Sequence, residues 1–227
     1  MTLQKIEEMI SEIKQYGGLS PNEMQIVENA LTGFLDRCHN RFRYYDYFTI
    51  ATGKNYGDAL EEKIRESFLN FTKPINDTSF DAISSSGEKI EIKSLRACSQ
   101  GQEIIFLKGD CIPASKFSTS SYQQTKPSCC DWFIYHILYG DGSRLFLIPS
   151  SMISQHPGKA YAEPGKIPLS IQHRDHETEG QVNLGQVIKY AQYFEIPEYE
   201  LEKSYDFENF KRIIISRMEA IKWRLPR

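Results

Sequence analysis

The chain has few cysteines, and they are not arranged as a disulfide or zinc framework. Five cysteines occur among 227 residues, at positions 38, 98, 111, 129 and 130. Their number is odd, two of them are adjacent, and none of the spacings matches a zinc-ligand pattern. We therefore expect reduced thiols in a cytoplasmic protein.

Long apolar runs and a strong charge of one sign are also absent. No run of about 18 apolar residues occurs, and the first residues, MTLQKIEEMISEIKQ, are charged and amphipathic rather than typical of a signal peptide. The formal net charge is −3 and the pI about 6.0, so the chain lacks the overall basic character common among nucleic-acid-binding proteins. A local basic cleft is compatible with this balance. Charged residues are 25% and apolar residues 40%, which predicts a globular chain with one sizeable domain.

What the sequence does contain is a strand–turn–strand pattern at residues 80–95, FDAISSSGEKIEIKSL. Three serines and a glycine at residues 84–87 supply the turn. In the second strand, isoleucines alternate with Glu91 and Lys93, so these two charged side chains share one face. Strand pairing would bring Asp81 beside that face. Two carboxylates with backbone oxygens suit a hard cation such as Mg2+, and a nearby lysine suits metal-assisted hydrolysis of a phosphodiester.

A helix is predicted just before the hairpin, at residues 57–71 (GDALEEKIRESFLNF). Its apolar stripe at helical spacing consists of Leu60, Ile64, Phe68 and Phe71. Glu61 lies about 100° from Leu60, on the edge of the stripe, whereas Glu62 lies about 200° away and faces solvent. The plain interpretation is an ordinary amphipathic helix with solvated acids.

Together these residues resemble the PD-(D/E)XK nucleases. Asp81, nine intervening residues and then Glu91, Ile92 and Lys93 match the family's motif, with Phe80 in the place of its proline. The resemblance implies that Asp81, Glu91 and the Ile92 backbone carbonyl bind Mg2+. It also implies that Lys93 holds or activates the attacking water.

The resemblance extends to the preceding helix. The family usually carries a glutamate there, often as G-x-x-x-E, and Gly57 and Glu61 match that spacing. It therefore implies that Glu61, rather than Glu62, supports a metal or its water shell. Asp81, Glu91, Lys93 and Glu61 are thus the predicted catalytic residues.

The elements predicted downstream continue the same pattern. Residues 102–108 are typical of a third strand, residues 113–122 of a short helix opened by proline, and residues 131–139 of a buried strand. The order over residues 57–139 is therefore α-β-β-β-α-β, which is similar to the common core of the family. We expect an α/β fold with a restriction-endonuclease-like core, in which helices flank a central mixed β-sheet.

The flanks are predicted to belong to the same single domain of 227 residues. Residues 1–40 form an N-terminal helical hairpin, residues 57–149 the catalytic core, and residues 156–227 a C-terminal loop and helices. A capping box, Ser20-Pro21-Asn22-Glu23, opens the second helix of the N-terminal hairpin. Three roles stay open for that hairpin: packing on the core, dimerisation and contact with a DNA duplex.

Further elements are predicted after residue 131. Residues 131–139 and 144–148 pair through the turn Gly140-Asp141-Gly142. A short helix is predicted up to residue 155, helical or mixed structure at 183–194, and an amphipathic helix at 206–224. The excess of cations in this last helix suits either DNA phosphates or the negative end of the helix dipole.

Three polar segments are candidates for DNA contact, each with a plainer interpretation. Residues 37–54 interleave bases with aromatics, which is typical of nucleic-acid surfaces and of half-buried strands. Residues 96–130 are rich in Ser, Thr, Gln and Lys, which suits DNA contact or a polar connection. Residues 156–183 are predicted to be irregular, and their Gln, His and Arg side chains suit base edges, a solvated loop or a metal. The candidate DNA-binding residues are Arg41, Arg43, Ser94, Arg96, Lys116, Gln172, His173 and Arg174.

The resemblance as a whole implies Mg2+-dependent, sequence-specific cleavage of double-stranded DNA. The chain is most similar to a type II restriction endonuclease, because it is compact and has no ATPase motif. We expect a homodimer, since twofold protein symmetry matches a palindromic site, and a DNA methyltransferase of the same specificity as its functional partner. Two alternatives stay open. One is another nuclease of this family, acting in repair, in phages or on junctions; the other is a non-catalytic DNA-binding protein on the same fold.

Overall fold

The computed structural model describes residues 54–75, 79–97, 121–139, 142–158, 165–171, 180–201 and 203–222, with short pieces between residues 11 and 29. The helices are α1 (Lys54–Ser67), α2 (Leu184–Lys189), α3 (Ala191–Phe194) and α4 (Phe207–Lys222), with a 3-10 turn at Ser150–Met152. The strands are β1 (Ala82–Ile83), β2 (Lys89–Arg96), β3 (Ser121–Thr125), β4 (Trp132–Tyr139), β5 (Gly142–Pro149), β6 (Ser170–Ile171), β7 (Gly180–Asn183) and β8 (Glu195–Ile196).

A mixed five-stranded sheet forms the centre of the protein, in the order β1-β2-β4-β5-β8. Strands β2 and β4 are parallel, with Ile92 opposite Ile134, while the other neighbours are antiparallel. Every residue of β4 is buried, which explains why its sequence is apolar or aromatic apart from His136. The predicted α/β class and mixed sheet are confirmed. The predicted pairing of β4 with β5 is also confirmed, since Tyr139 lies opposite Gly142.

A second sheet, in the order β3-β7-β6, was not predicted. Residues 121–122 were expected to end a helix, but they lie in β3, because Tyr122 pairs with Val182 of β7 and packs on Tyr135. The expectation that residues 156–183 are irregular was wrong where β6 and β7 pair as an antiparallel hairpin. These strands are too short for alternation to show in the sequence.

Helix α1 lies against β2 and buries the predicted stripe, with Leu60 and Ile64 at 0% exposure. The helix ends at Ser67 and not at residue 71, because the Leu69 N–H donates to the Tyr205 carbonyl (2.8 Å) instead of continuing the helix. Asn70 then turns the chain with a φ of 63°. Phe71 still stacks on Phe68, with ring centroids 4.9 Å apart.

Of the other predicted helical features, some are confirmed and one is wrong. Helix α4 lies within the predicted range, and Asn183 caps α2 by accepting from the Gly185 N–H (2.8 Å). The helix expected up to residue 155 is only a 3-10 turn, because Ile153 is extended, fully buried and bridged to Ile167. The capping box is confirmed by two reciprocal bonds. The Ser20 N–H donates to the Glu23 carboxylate (2.8 Å), and the Glu23 N–H donates to Ser20 Oγ (3.4 Å).

Several predictions fall outside the described residues. They are the third strand at 102–108, most of the helix at 113–122 and the basic–aromatic segment before residue 54. The division of the chain into a single domain stays a prediction. Within the described part of the chain, no helix combines the length and the apolar character needed to cross a membrane.

Candidate active site

The hairpin of β1 and β2 positions the predicted acids. Ala82 lies opposite Ile90, so the residues that precede and follow them, Asp81 and Glu91, face one another across the strands. The turn between them depends on Gly87, whose φ of 84° lies in the left-handed region that favours glycine. The Gly87 N–H donates to the Ser84 carbonyl (3.0 Å), which closes the turn.

The Asp81 side chain is fixed over β2 by backbone hydrogen bonds. Its own N–H donates to the Ile90 carbonyl (2.9 Å), and its Oδ2 accepts from the Ile92 N–H (2.7 Å). One carboxylate oxygen is therefore held against the residue between Glu91 and Lys93.

Glu91 and Lys93 form an ion pair within the protein. Lys93 Nζ lies 2.5 Å from Glu91 Oε1, and the two side chains are 17% and 11% exposed. Glu91 Oε2 is buried and has no hydrogen-bond partner. Burial raises the pKa of Glu91 to about 7, with Asp81 adding to the rise and Lys93 opposing it. A buried carboxylate oxygen without a donor is rare in folded proteins and marks a place where a cation or a donor is missing.

Helix α1 adds a fourth group, Glu61. Burial, together with the charges of Asp81 and Glu91, raises the pKa of Glu61 to about 8 against the opposing effect of Lys93. Glu62, the neighbouring acid, is exposed and pairs with Arg65. The structure therefore brings Glu61 to the hairpin and turns Glu62 to solvent, as the helical angle predicted.

Lys93 is an ammonium ion in this environment. Burial acts to lower the pKa of Lys93, but the attraction of Glu91, Asp81 and Glu61 outweighs it and raises the pKa above the ordinary value. An ammonium group has three N–H donors and no lone pair. In this state Lys93 therefore orients an oxygen rather than accepting a proton.

The donor set fits a hard divalent cation. Asp81, Glu91 and the Ile92 carbonyl are oxygen donors of the kind that Mg2+ prefers, and Glu91 Oε2 is an unpartnered oxygen among them. Among the described residues, no group of three or more His, Cys, Asp and Glu side chains is preassembled as a metal site. In this structure Lys93 instead holds one Glu91 oxygen.

Behind the ion pair lies an apolar wall formed by β4. Phe133 and Tyr135 are the register partners of Glu91 and Lys93 and are completely buried. Their rings stack at 5.3 Å. Water is excluded from this side of the site, which explains why burial is the largest cause of the raised pKa values of Glu61 and Glu91.

Cys130, which sequence analysis did not connect to the site, lies close to Glu91. Burial raises the pKa of its thiol to about 12, so it is inert at neutral pH. Its Sγ lies 3.2 Å from Ser150 Oγ. Both Cys129 and Cys130 are free thiols, as expected.

A cluster that sequence analysis also missed ties the hairpin turn to α4. We call it the Glu88 cluster; its members are Ser86, Glu88, Trp132, Glu208 and Lys211. Glu88 accepts from Trp132 Nε1 (3.1 Å), Lys211 Nζ (2.6 Å) and Ser86 Oγ (2.9 Å), and Ser86 Oγ also lies 2.6 Å from Glu208 Oε1. The turn that joins β1 and β2 is therefore anchored to a helix that is distant in sequence, α4.

Two of the predicted DNA-binding residues, Ser94 and Arg96, lie in the described part of the chain, and neither side chain lies with Glu91 and Lys93. Ser94 alternates with Lys93 and lies on the opposite face of β2, where its Oγ is 3.3 Å from Nδ1 of buried His136. Arg96 is half-buried at the end of β2, beside Leu138. The remaining candidates, Arg41, Arg43, Lys116, Gln172, His173 and Arg174, lie outside the described residues.

No protein-family model matches the chain, and no curated protein matches its sequence. The features that bear on function are therefore the side chains of Asp81, Glu91 and Lys93 on the β1–β2 hairpin and of Glu61 on α1.

Proposed function

We propose that the protein is a Mg2+-dependent endonuclease that hydrolyses phosphodiester bonds in double-stranded DNA. The observation that carries this proposal is the meeting of Asp81, Glu91 and Lys93 on one hairpin, with Glu61 brought to them by α1. Three carboxyl groups meet one ammonium in a half-buried site; when all three are ionised they carry a surplus of negative charge, which a divalent cation would offset.

Asp81, Glu91 and the Ile92 carbonyl would hold Mg2+, with Glu61 supporting the metal or its waters. When bound, Mg2+ acts as a Lewis acid that polarises the scissile phosphate and stabilises the charge that develops on the leaving oxygen. Glu91 contributes the buried Oε2 that has no other partner. Asp81 is held in place by the Ile92 N–H, so it is oriented before any ligand arrives.

Lys93 would position the attacking water or a phosphate oxygen. Its ammonium group is fixed by the ion pair with Glu91 and by strand β2, so its donors are oriented in advance. Because phosphodiester hydrolysis builds negative charge on oxygen, a fixed cation in a poorly solvated site favours the transition state over the ground state.

The arrangement of elements supports a restriction-endonuclease-like core. Helix α1 precedes the β1–β2 hairpin, and β4 pairs in parallel with β2 in the same sheet. We propose the more specific function of a type II restriction endonuclease, which acts as a homodimer and is paired with a DNA methyltransferase of the same specificity. Symmetric sites in DNA are matched by twofold protein symmetry.

Cleavage of DNA by the purified full chain tests this proposal. Unmethylated plasmid and phage DNA are incubated with the protein in Mg2+ and, separately, in EDTA. Lys93→Ala is compared with Lys203→Ala, which removes an exposed lysine paired only at the surface. We expect discrete fragments that require Mg2+ and Lys93 but not Lys203.

Each outcome separates the alternatives. Nicking or a smear that needs Mg2+ and Lys93 would support a nuclease of this family but not restriction activity. Tight DNA binding without cleavage, unchanged by Lys93→Ala, would instead indicate a non-catalytic DNA-binding protein. Cleavage by Lys93→Ala at the native rate would overturn the assigned site.

A further inference from the structure

Strand β3 contains a bulge. Its neighbour β7 pairs Tyr122 with Val182 and Thr125 with Gly180. Between these pairs, Gln123 and Gln124 on β3 face a single residue on β7. Gln124 has a φ of 54°, in the left-handed region that residues other than glycine rarely adopt.

The bulge changes which side chains point outward. Regular alternation would place Tyr122 and Gln124 on one face and Gln123 and Thr125 on the other. With the extra residue, Tyr122 and Thr125 are both buried, at 1% and 0% exposure, and the two glutamines are both exposed. Two adjacent glutamines are therefore exposed on the side of β3 that does not carry Tyr122 and Thr125.

The bulge lies on the catalytic face of the central sheet. The Tyr122 ring packs 4.5 Å from the ring of Tyr135, and Thr125 Oγ1 lies 3.5 Å from the Tyr135 hydroxyl. Tyr135 is the register partner of Lys93 and shares its face, and β3 contacts β2 directly. Only the Tyr135 side chain separates the packed residues of the bulge from the strand that carries Lys93.

We propose that Gln123 and Gln124 form a base-contacting element that recognises adenine in the major groove, an inference that rests on the nuclease function proposed above. A primary amide carries a donor and an acceptor side by side, and adenine presents the matching pair at N7 and N6. Bulges beside active sites redirect side chains, and backbone strain of the kind seen at Gln124 concentrates at functional positions. The recognition sequence would then contain at least one A·T pair that these side chains select.

A plainer interpretation is that the bulge only keeps Tyr122 and Thr125 buried together. In that case the identity of the exposed residues would not affect which DNA is cleaved. The two interpretations differ in a base-specific readout, which a purely structural role would not change.

The test begins with the recognition sequence, obtained by sequencing the ends of DNA cleaved by the full chain. Duplexes are then made in which each adenine of the site is replaced in turn by 7-deazaadenine, which lacks the N7 acceptor. We expect one position at which the replacement lowers kcat/KM for the native chain by roughly 5- to 150-fold. In Gln123→Ala or Gln124→Ala, the same replacement should have no further effect.

Gln192→Ala is the matched control, because Gln192 is an exposed glutamine on α3 and should leave the sensitivity unchanged. Gln123→Glu and Gln124→Glu keep the side-chain shape and serve if the alanine variants do not fold; they should lose the preference for adenine over 7-deazaadenine. Three results would overturn the inference without affecting the nuclease proposal. The variants could keep the native sequence preference, the native chain could be insensitive to replacement at every adenine, or it could cleave without sequence preference. Failure of the native chain to cleave any DNA in Mg2+ would instead overturn the nuclease proposal itself.

Discussion

Lys93 Nζ and Glu91 Oε1 lie 2.5 Å apart in an ion pair that is largely withdrawn from water. Removing one member of such a pair commonly leaves a buried charge without compensation. Here the pKa of Glu91 is already raised to about 7 by burial, so its carboxyl group can take up a proton near neutral pH when the lysine is lost. Catalysis and stability should therefore respond very differently to the same substitution.

Lys93→Met tests this difference. We expect Mg2+-dependent DNA cleavage to fall by roughly 10²–10⁴-fold, because the oriented cation is lost. The free energy of unfolding at pH 7 should fall by less than about 2 kcal/mol. Removing one partner of a buried ion pair typically costs roughly 3–5 kcal/mol, because the other charge is left buried without compensation. Urea unfolding and plasmid cleavage measure the two effects, with Lys203→Met as the control. If Lys93→Met loses activity only because the variant unfolds, Lys93 is mainly structural.

Glu61 and Glu62 offer a matched pair of adjacent acids on α1. Glu61→Gln should lower cleavage by roughly 10–100-fold, the usual effect of losing a group that supports a metal site. Glu62→Gln should change the rate by less than about twofold, since its carboxylate is exposed and pairs only with Arg65. Cleavage rates measured over a series of Mg2+ concentrations compare the two variants. Equal effects would remove Glu61 from the site.

His136 should make the protein sensitive to acid. Complete burial lowers the pKa of His136 to about 3, whereas an unfolded histidine has a pKa of about 6.5. As the pH falls below 6.5, the unfolded chain therefore binds a proton that the folded chain does not, and stability decreases until the pH approaches 3. Between pH 7 and pH 5 this should cost about 2 kcal/mol.

The His136 effect is measured against a variant. Urea unfolding at pH 7 and pH 5 should show that His136→Gln loses about 2 kcal/mol less stability than the native chain over this interval. His156→Gln, which alters an exposed histidine, should follow the native chain. Comparing variants is necessary because the raised pKa values of Glu61 and Glu91 act in the opposite direction over the same interval. Identical pH dependence in His136→Gln would contradict this account.

The Glu88 cluster should contribute measurably to stability. Glu88→Ala removes the acceptor shared by Trp132, Lys211 and Ser86, and we expect a loss of about 1–2 kcal/mol in the free energy of unfolding. Glu200→Ala removes an exposed ion pair with Lys203 and should cost less than about 0.5 kcal/mol. Thermal or urea unfolding distinguishes the two variants. Similar small losses would mean that the cluster does not anchor the turn.

The parts of the site that sequence analysis anticipated are those that depend on local rules. Asp81 and Glu91 are joined by a short turn, and period-two alternation alone places Glu91 and Lys93 on one face. The angle between successive helical residues places Glu61 at the edge of the buried stripe and Glu62 toward solvent, and the spacing from Gly57 in the family that the chain resembles selected Glu61. The same alternation places Ser94 on the opposite face of β2 from Lys93. The prediction that Ser94 contacts DNA did not take this alternation into account.

The parts that could not be anticipated depend on contacts between distant segments. Glu88 and Lys211 are far apart in sequence, and neither residue type signals a partner. Strand β3 has one buried side chain, two exposed ones and another buried one, a pattern without a period of two. Such a strand is recognisable only when β7 is seen to pair with it across the bulge.

The two sheets differ in how far apart along the chain their partners lie, and this sets an order for folding. Ala82 and Ile90 of the β1–β2 hairpin are eight positions apart, whereas Tyr122 and Val182 are separated by about sixty. Short hairpins close within roughly 1–10 μs, while non-local pairing is slower because a longer loop must be ordered first. We therefore expect Asp81, Glu91 and Lys93 to come together during folding before β3 and its glutamines are in place.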